Sequence, residues 1–224
     1  MMLKKAVINL LDYVRYHKSY AQDGEDVALA AFYEGKKGYK GFYVDVGAHH
    51  PVRFSNTYSF YQKGWKGINI DPTPGSMASF GWLRRRDINL EIGIGETPGQ
   101  LTFHCFNEPA LNTFDPVLAA ERNTGKPYSI IKTVDVPVRP LGAVLADHFP
   151  KGQHFDFLSV DVEGLDLVVL KSNDWERFSP AFVLVEDSVF VVENLESSPV
   201  YQYLSAQGYE IVAVLKRTYI YRRK

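Results

Sequence analysis

Phe157-Leu158-Ser159-Val160-Asp161-Val162-Glu163-Gly164 is a short apolar run that ends in two acids and a glycine. The same form recurs in Gly41-Phe42-Tyr43-Val44-Asp45-Val46-Gly47, in Gly67-Ile68-Asn69-Ile70-Asp71-Pro72 and in Ala181-Phe182-Val183-Leu184-Val185-Glu186-Asp187. Runs that are apolar at nearly every position are strands buried on both faces, which is the signature of a parallel sheet. Helical patterns lie over about 54–63, 73–84, 164–171 and 197–207. Strands alternating with helices predict an α/β fold, a mostly parallel sheet with helices on both faces. Ligands of such sheets bind outside the carboxyl ends of the strands. Asp45, Asp71, Asp161 and Glu186 all stand at predicted strand ends, so the four acids are expected to face one crevice.

Outward from these strands the pattern changes. Residues 3–16 predict an amphipathic helix with Val7, Leu10, Leu11 and Val14 on one face. Its basic neighbours Lys4, Lys5, Arg15 and Lys18 leave two readings open, peripheral contact with a membrane surface or packing at a subunit interface. A second helix is predicted over Glu25–Glu34, which makes residues 1–40 an N-terminal helical segment ahead of a domain over 41–224. Ile88–Ile94 and Leu101–Phe106 read as strands around a turn at Glu96-Thr97-Pro98-Gly99. Residues 107–128 read as a loop or lid carrying Phe114 and Tyr128, 129–138 as a strand and 140–148 as a helix. Tyr209–Leu215 and Thr218–Tyr221 predict a C-terminal antiparallel hairpin. No fixed-period repeat and no second hydrophobic core is evident.

The chain has 224 residues, enough for one large core. Its 25 Lys and Arg nearly balance 26 Asp and Glu, so the composition does not point to nucleic acid. The lone Cys105 excludes an internal disulfide and a cysteine zinc site, and fits a reducing, cytoplasmic compartment. The longest apolar runs are about five residues, far short of the roughly 20 that a transmembrane helix needs. The first apolar stretch is broken by Asn9, Asp12 and Arg15 and does not read as a signal peptide.

Dinucleotide binders place Gly-x-Gly-x-x-Gly after the first strand so that backbone can approach a pyrophosphate. The corresponding turn here, Asp45-Val46-Gly47-Ala48-His49-His50-Pro51, has one glycine. That disfavours a nicotinamide cofactor. Asp71 stands at the end of the next strand, where an acid meets ribose hydroxyls. Adenosine without pyrophosphate points to S-adenosyl-L-methionine, whose cationic sulfonium suits a crevice ringed by carboxylates.

The same residues carry a family resemblance. Tyr20-Ala21-Gln22-Asp23-Gly24-Glu25-Asp26, Phe42 to Pro51, Ser55-Asn56-Thr57, Gly64 to Pro72 and Phe155 to Gly164 occur in the order of the FkbM family of S-adenosylmethionine-dependent methyltransferases. The sequence resembles that family over roughly residues 19–187. The resemblance implies a Rossmann-like class I methyltransferase fold, usually with a seven-stranded sheet. It also implies methyl transfer, most often to oxygen, with sugar hydroxyls of glycans or glycosylated metabolites as frequent acceptors. Segment 104–128 matches no pattern of the family, and acceptor choice is expected to reside there.

Cofactor contacts are expected from Gly47 and Ala48 on the first turn, from Asp71 and Pro72 on the second, and from Asp45, Asp161, Gln22, Asn56 and Ile88. Gly47 would let the chain pass the methionine part, Asp45 would hold its amino group, and Ile88 would flank adenine. Each has a structural alternative: turn glycine for Gly47, helix caps for Asp45 and Asn56, core packing for Ile88. Asp161, Glu163 and His49 are the expected catalytic residues. One acid orients the acceptor hydroxyl, and His49 or an acid takes its proton. Asp161, Glu163, Glu186 and Asp187 also offer oxygen ligands for a divalent metal such as Mg²⁺. No tight ligand motif is present, so no metal ligand is assigned. The rival readings are a nicotinamide oxidoreductase on the same fold, and a binding module for S-adenosylmethionine without turnover. The sequence leaves homo-oligomerisation open.

Overall fold

The computed structural model describes residues 18–187 and 192–224. The helix expected over 3–16 lies outside the described residues. The strands are β1 (Phe42–Val46), β2 (Lys66–Ile70), β3 (Ile88–Leu90), β4 (Gly93–Ile94), β5 (Gly99–Phe106), β6 (Ile130–Arg139), β7 (Phe157–Val160), β8 (Phe182–Glu186), β9 (Tyr209–Leu215) and β10 (Thr218–Arg223). The helices are α1 (Glu25–Ala31), α2 (Tyr58–Gln62), α3 (Ser76–Leu83), α4 (Pro116–Arg122), α5 (Leu141–His148), α6 (Asp166–Lys171) and α7 (Pro199–Ala206). The main sheet has seven strands in the order β3-β2-β1-β7-β8-β10-β9. Its first five members run parallel, and β10 pairs antiparallel with both β8 and β9.

Burial explains why the central strands read as unbroken apolar runs. Along β1, Phe42, Val44 and Val46 join one core and Tyr43 the other. Leu158 and Val160 of β7 and Val183 and Val185 of β8 share the first core with side chains of α5, α6 and α7. Phe157, Phe182 and Leu184 face the second, which α1 and α2 close with Leu29 and Phe60. Each such side chain, fully buried, contributes about 1.5–3 kcal/mol.

Three expectations are corrected. The run 88–94 is not one strand: β3 pairs with β2, while β4 pairs with β6 in a separate three-stranded sheet of order β4-β6-β5. Gly93 permits the switch, because a Cβ there would lie 2.7 Å from the Phe114 ring and 2.8 Å from Val138. The small sheet has its own cluster, Phe103, Cys105 and Val136, where no second core was expected. The segment 107–128 is also more ordered than a loop. It contains a 3-10 turn at Pro109–Leu111 and α4, capped by the Asp115 carboxylate, which accepts from Val117 N and Leu118 N. No helix among the described residues is long and apolar enough to cross a membrane.

Candidate active site

The sheet order reverses between β1 and β7, and a cleft of about 800 Å³, including space open to solvent, lies at their carboxyl ends. Such a switch point is where doubly wound sheets bind ligands. Val46, Gly47 and His49 line it from β1 and its turn, Ile70 to Thr73 from β2, and Asp161, Val162 and Glu163 from β7. The small sheet supplies a further wall with Ile94 and Phe103, joined by Asn112 and Phe114 from the segment between β5 and β6.

The first turn is built by backbone. Gly47 N and Ala48 N both donate to the Ile70 carbonyl, at 2.9 and 3.1 Å. Gly47 has φ 83°, a left-handed conformation that glycine adopts without strain. His49 is left-handed too, at φ 51°. Its N–H donates to Asp71 Oδ2 at 2.9 Å, and Thr73 N donates to Asp71 Oδ1 at 2.9 Å. The Asp71 carboxylate thus fastens the turns after β1 and β2 together while it lines the cleft. His50 serves the loop: its Nδ1 accepts from Val52 N and Arg53 N. Beyond it Arg53 donates to Glu108 Oε1 at 2.6 Å and lies 3.4 Å from His49 Nε2. That bond ties the first turn to the small-sheet excursion across the mouth of the cleft.

On the β7 side, Asp161 N donates to the Val46 carbonyl at 3.0 Å. Glu163 is left-handed at φ 55°, its carbonyl accepts from Thr113 Oγ1 at 2.9 Å, and its carboxylate pairs with Arg122 of α4. Below it, Asp166 accepts from Val162 N and Gly164 N and fixes the turn. Glu186 at the end of β8 is paired with Arg217 at 3.2 Å. Carboxylate oxygens of Asp161, Glu163 and Glu186 lie within 4.8 Å of one another. Two of these three acids already face a guanidinium, which meets part of the charge that a cation would otherwise have to meet.

Asp161 is exposed in the cleft, yet desolvation by its surroundings raises its carboxyl well above the usual carboxylate range, and the charges of Glu186 and Glu163 push it further. Glu186 is raised for the same reasons, burial first. Both shifts follow from like charges held close in a region of reduced dielectric. Burial lowers His49 below its ordinary 6.5, aided by Arg53 and His50 and opposed by Asp71. Its imidazole is therefore neutral at pH 7.

The expected site residues separate into two groups. Gln22, Gly47, His49, Asp71, Pro72, Asp161 and Glu163 line the one cleft. Asp45, Ala48, Asn56 and Ile88 do not. Asp45 is buried, accepts from Thr57 Oγ1 at 2.9 Å and is pushed up to about 6 by burial. Ala48 is buried in the turn. Asn56 donates to Ser159 Oγ at 3.1 Å. Ile88 packs against the main core, and Ile92 and Ile94 line the cleft. Sequence reasoning missed Arg122, which reaches the site from a distant segment, and Arg53, four residues beyond His49 on the first turn. Arg122 carried a readable signal: it closes a helix announced by Asp115-Pro116, an N-cap followed by proline at the first helical position.

A doubly wound sheet with an antiparallel edge and an acid-rimmed cleft at its switch point defines a Rossmann-like α/β protein of class I methyltransferase architecture. Residues 45–211 match the family model of the methyltransferase FkbM domain. The chain belongs to that family. Among similar solved structures is methyltransferase FkbM from Methylobacillus flagellatus KT, with 14% identity and a TM-score of 0.48 over 91% of this chain and 56% of that one. The chain thus spans little more than half the length of that relative. No curated protein gives a significant match.

Proposed function

We propose that the protein is an S-adenosylmethionine-dependent O-methyltransferase that acts on a sugar hydroxyl of a glycan or glycosylated metabolite. One observation carries the cofactor reading: Asp71 lines the cleft at the end of β2 while a single side-chain-free residue, Gly47, borders it at the end of β1. An acid at the second strand end suits ribose hydroxyls, and one glycine leaves no cradle for a pyrophosphate. Ile92, Ile94 and Pro72 offer apolar walls for adenine, and the acids around Asp161 suit a cationic ligand. The residues present therefore fit the cofactor.

When bound, S-adenosylmethionine supplies an electrophilic methyl group on a sulfonium leaving group. The chain's own task is to align an acceptor oxygen with it and to remove a proton, since an un-ionised hydroxyl is a weak nucleophile. Asp161 orients the acceptor hydroxyl. His49, neutral and in the same cleft, accepts the proton at an imidazole nitrogen. Glu163 is fixed by Arg122 and by Thr113, so it shapes the acceptor side and couples it to α4. The small sheet with Phe103, joined by Asn112 and Phe114, walls off water. A cytoplasmic location is part of this proposal, and the lone Cys105 fits such a reducing compartment.

Calorimetric titration with S-adenosylhomocysteine tests this, with NAD as the contrasting ligand. Saturable binding of S-adenosylhomocysteine, lost in Asp71→Ala, is expected. Binding of NAD instead would return the chain to the oxidoreductase reading. A panel of sugar acceptors with labelled methyl donor then identifies the hydroxyl. Binding of the cofactor product without turnover on any acceptor would leave a binding module.

A further inference from the structure

The charge balance of the whole chain conceals a polar distribution. Acids gather at the carboxyl ends of the strands, as described above. The opposite end is basic. Three segments lead into β1, β2 and β3 there, namely 33–41, 61–65 and 82–87. Lys36, Lys37 and Lys40 are exposed on the first, Lys63 on the second and Arg85 and Arg86 on the third, with Lys66 exposed at the start of β2. Glu34 is the one exposed acid in these segments, because Asp87 is fully buried against Arg84. Arg222, which is opposite Phe182 in the sheet register and paired with Glu210 at 2.6 Å, brings the further cations Arg223 and Lys224 to the same end.

Large apolar side chains stand among these cations. Trp82 is 75% exposed, Leu83 49% and Tyr39 37%. The surface is continuous. The Arg85 guanidinium lies 5.2 Å from the Trp82 ring centre. Arg86 donates to the Tyr61 carbonyl and stacks 3.8 Å over the Tyr61 ring. The Lys40 side chain passes beside Gly64, and Lys36 covers the rings of Tyr33 and Tyr39 at 5.0 and 5.4 Å. A tryptophan and a leucine at a helix end, flanked by arginines and then by lysines, match a lipid interface: amphipathic rings settle at headgroup depth, and cations meet anionic lipid.

We propose that this end of the sheet docks on an anionic membrane surface, with Trp82 and Leu83 entering the headgroup layer and the lysines and arginines meeting the lipid charge. The cleft lies at the other end of the sheet, so it faces the aqueous phase and exchanges cofactor and acceptor while docked. This surface is independent of the reaction proposed above.

The experiment is co-sedimentation of the full chain with vesicles of phosphatidylglycerol and phosphatidylcholine, against vesicles of phosphatidylcholine alone. Binding is expected only to the anionic vesicles, and it should weaken as salt shortens the screening length. It should carry a blue shift of tryptophan emission that Trp82→Ala abolishes, since Trp65 is buried and Trp175 packs against the main core with its Nε1 donating to the Leu170 carbonyl. Lys63→Glu with Arg85→Glu should lower partitioning by about 25-fold or more, given about fivefold for each of the two cations removed. Unchanged thermal midpoints certify that the variants fold. Absence of binding to anionic vesicles overturns the proposal. So does binding that both variants retain, which would place the contact elsewhere in the chain. Binding to a DNA oligonucleotide but not to vesicles would also overturn it and make the partner a nucleic acid.

Discussion

Gly47 and Asp161 meet backbone to backbone across the switch point: a Cβ on Gly47 would stand 1.7 Å from the Asp161 carbonyl oxygen. The turn after β1 can therefore pass β7 only without a side chain. Gly47→Ala must displace one of the two strand ends and also adopt φ 83°. We predict a loss of about 3 kcal/mol or more in stability, from steric overlap and backbone strain together. Binding of S-adenosylhomocysteine should fall with it. Chemical denaturation and calorimetry check both, and a variant of native stability would contradict the close contact.

Asp71 is predicted to serve structure and ligand at once. Its carboxylate accepts from His49 N and Thr73 N, so Asp71→Ala leaves two N–H groups without their acceptor. A lost bond to a charged group costs about 1.5–3 kcal/mol. Asp71→Asn keeps one acceptor oxygen and should retain most of the stability. Both variants should bind S-adenosylhomocysteine at least about tenfold more weakly, because the ionised acceptor for ribose is gone. Native affinity in Asp71→Asn would remove Asp71 from the ribose.

Arg84 is fully buried at the end of α3, where it ties β1, α2 and β3 together. It pairs with Asp87 at 2.9 Å, and donates to the Pro51 carbonyl at 3.0 Å, Tyr43 OH at 2.7 Å and Thr57 Oγ1 at 2.9 Å. Thr57 in turn donates to Asp45. Arg84→Met strands the Asp87 carboxylate in the interior and should cost about 3–5 kcal/mol. The double variant Arg84→Met/Asp87→Asn should recover part of that loss, since no unpaired charge remains. A double variant no more stable than the single one would show that the hydrogen-bond network, not the charge, sets the cost.

How much of this was readable follows the physics of each element. The runs around Asp45, Asp71, Asp161 and Glu186 announced four parallel strands because burial on both faces leaves no polar position to disguise them. The acids at their ends were readable for the same reason, as breaks in apolar runs. That Asp45 serves Thr57 rather than the cleft was not, because Asp45 is the penultimate residue of β1 and its side chain alternates to the other face from Val46. The break at 91–92 was hidden, since Ile88 to Ile94 alternates well enough for one strand and only Gly93 marks the change of sheet. Pairings such as Arg122 with Glu163, Arg53 with Glu108 and Arg84 with Tyr43 join segments distant in sequence. No local pattern encodes them.

The pH dependence of stability carries a sign opposite to that of ordinary acids. Burial pushes Asp166 up to about 7 from 3.8. The folded state then holds this proton more tightly than the unfolded chain does. Its contribution is fully present below about pH 3.8 and is lost as pH rises through 7. Across that window the group contributes a fall in stability of at most about 1.4 kcal/mol per pH unit. Asp166→Asn should remove this fall, so the variant and the parent should diverge least at low pH. Denaturation midpoints at pH 4.5, 6 and 8 measure the difference. Parallel curves would mean that the two backbone N–H groups on Asp166 hold it ionised throughout.

The proton acceptor is tested by separating binding from turnover. His49 lines the cleft, and its imidazole, neutral because of burial, titrates below its ordinary 6.5. Turnover should therefore rise with pH on the acid side, with its midpoint below the ordinary imidazole value of 6.5. His49→Ala should lower kcat by about 10²–10⁴, the range for loss of a general base, while S-adenosylhomocysteine still binds. Exogenous imidazole should restore part of the rate in that variant, which a merely structural histidine would not allow. Asp161→Asn keeps the shape of the site and can still hydrogen-bond a hydroxyl, so it should raise KM for the acceptor more than it lowers kcat. If His49→Ala instead kept full kcat and Asp161→Asn abolished it, the acid would be the base and the histidine a loop residue.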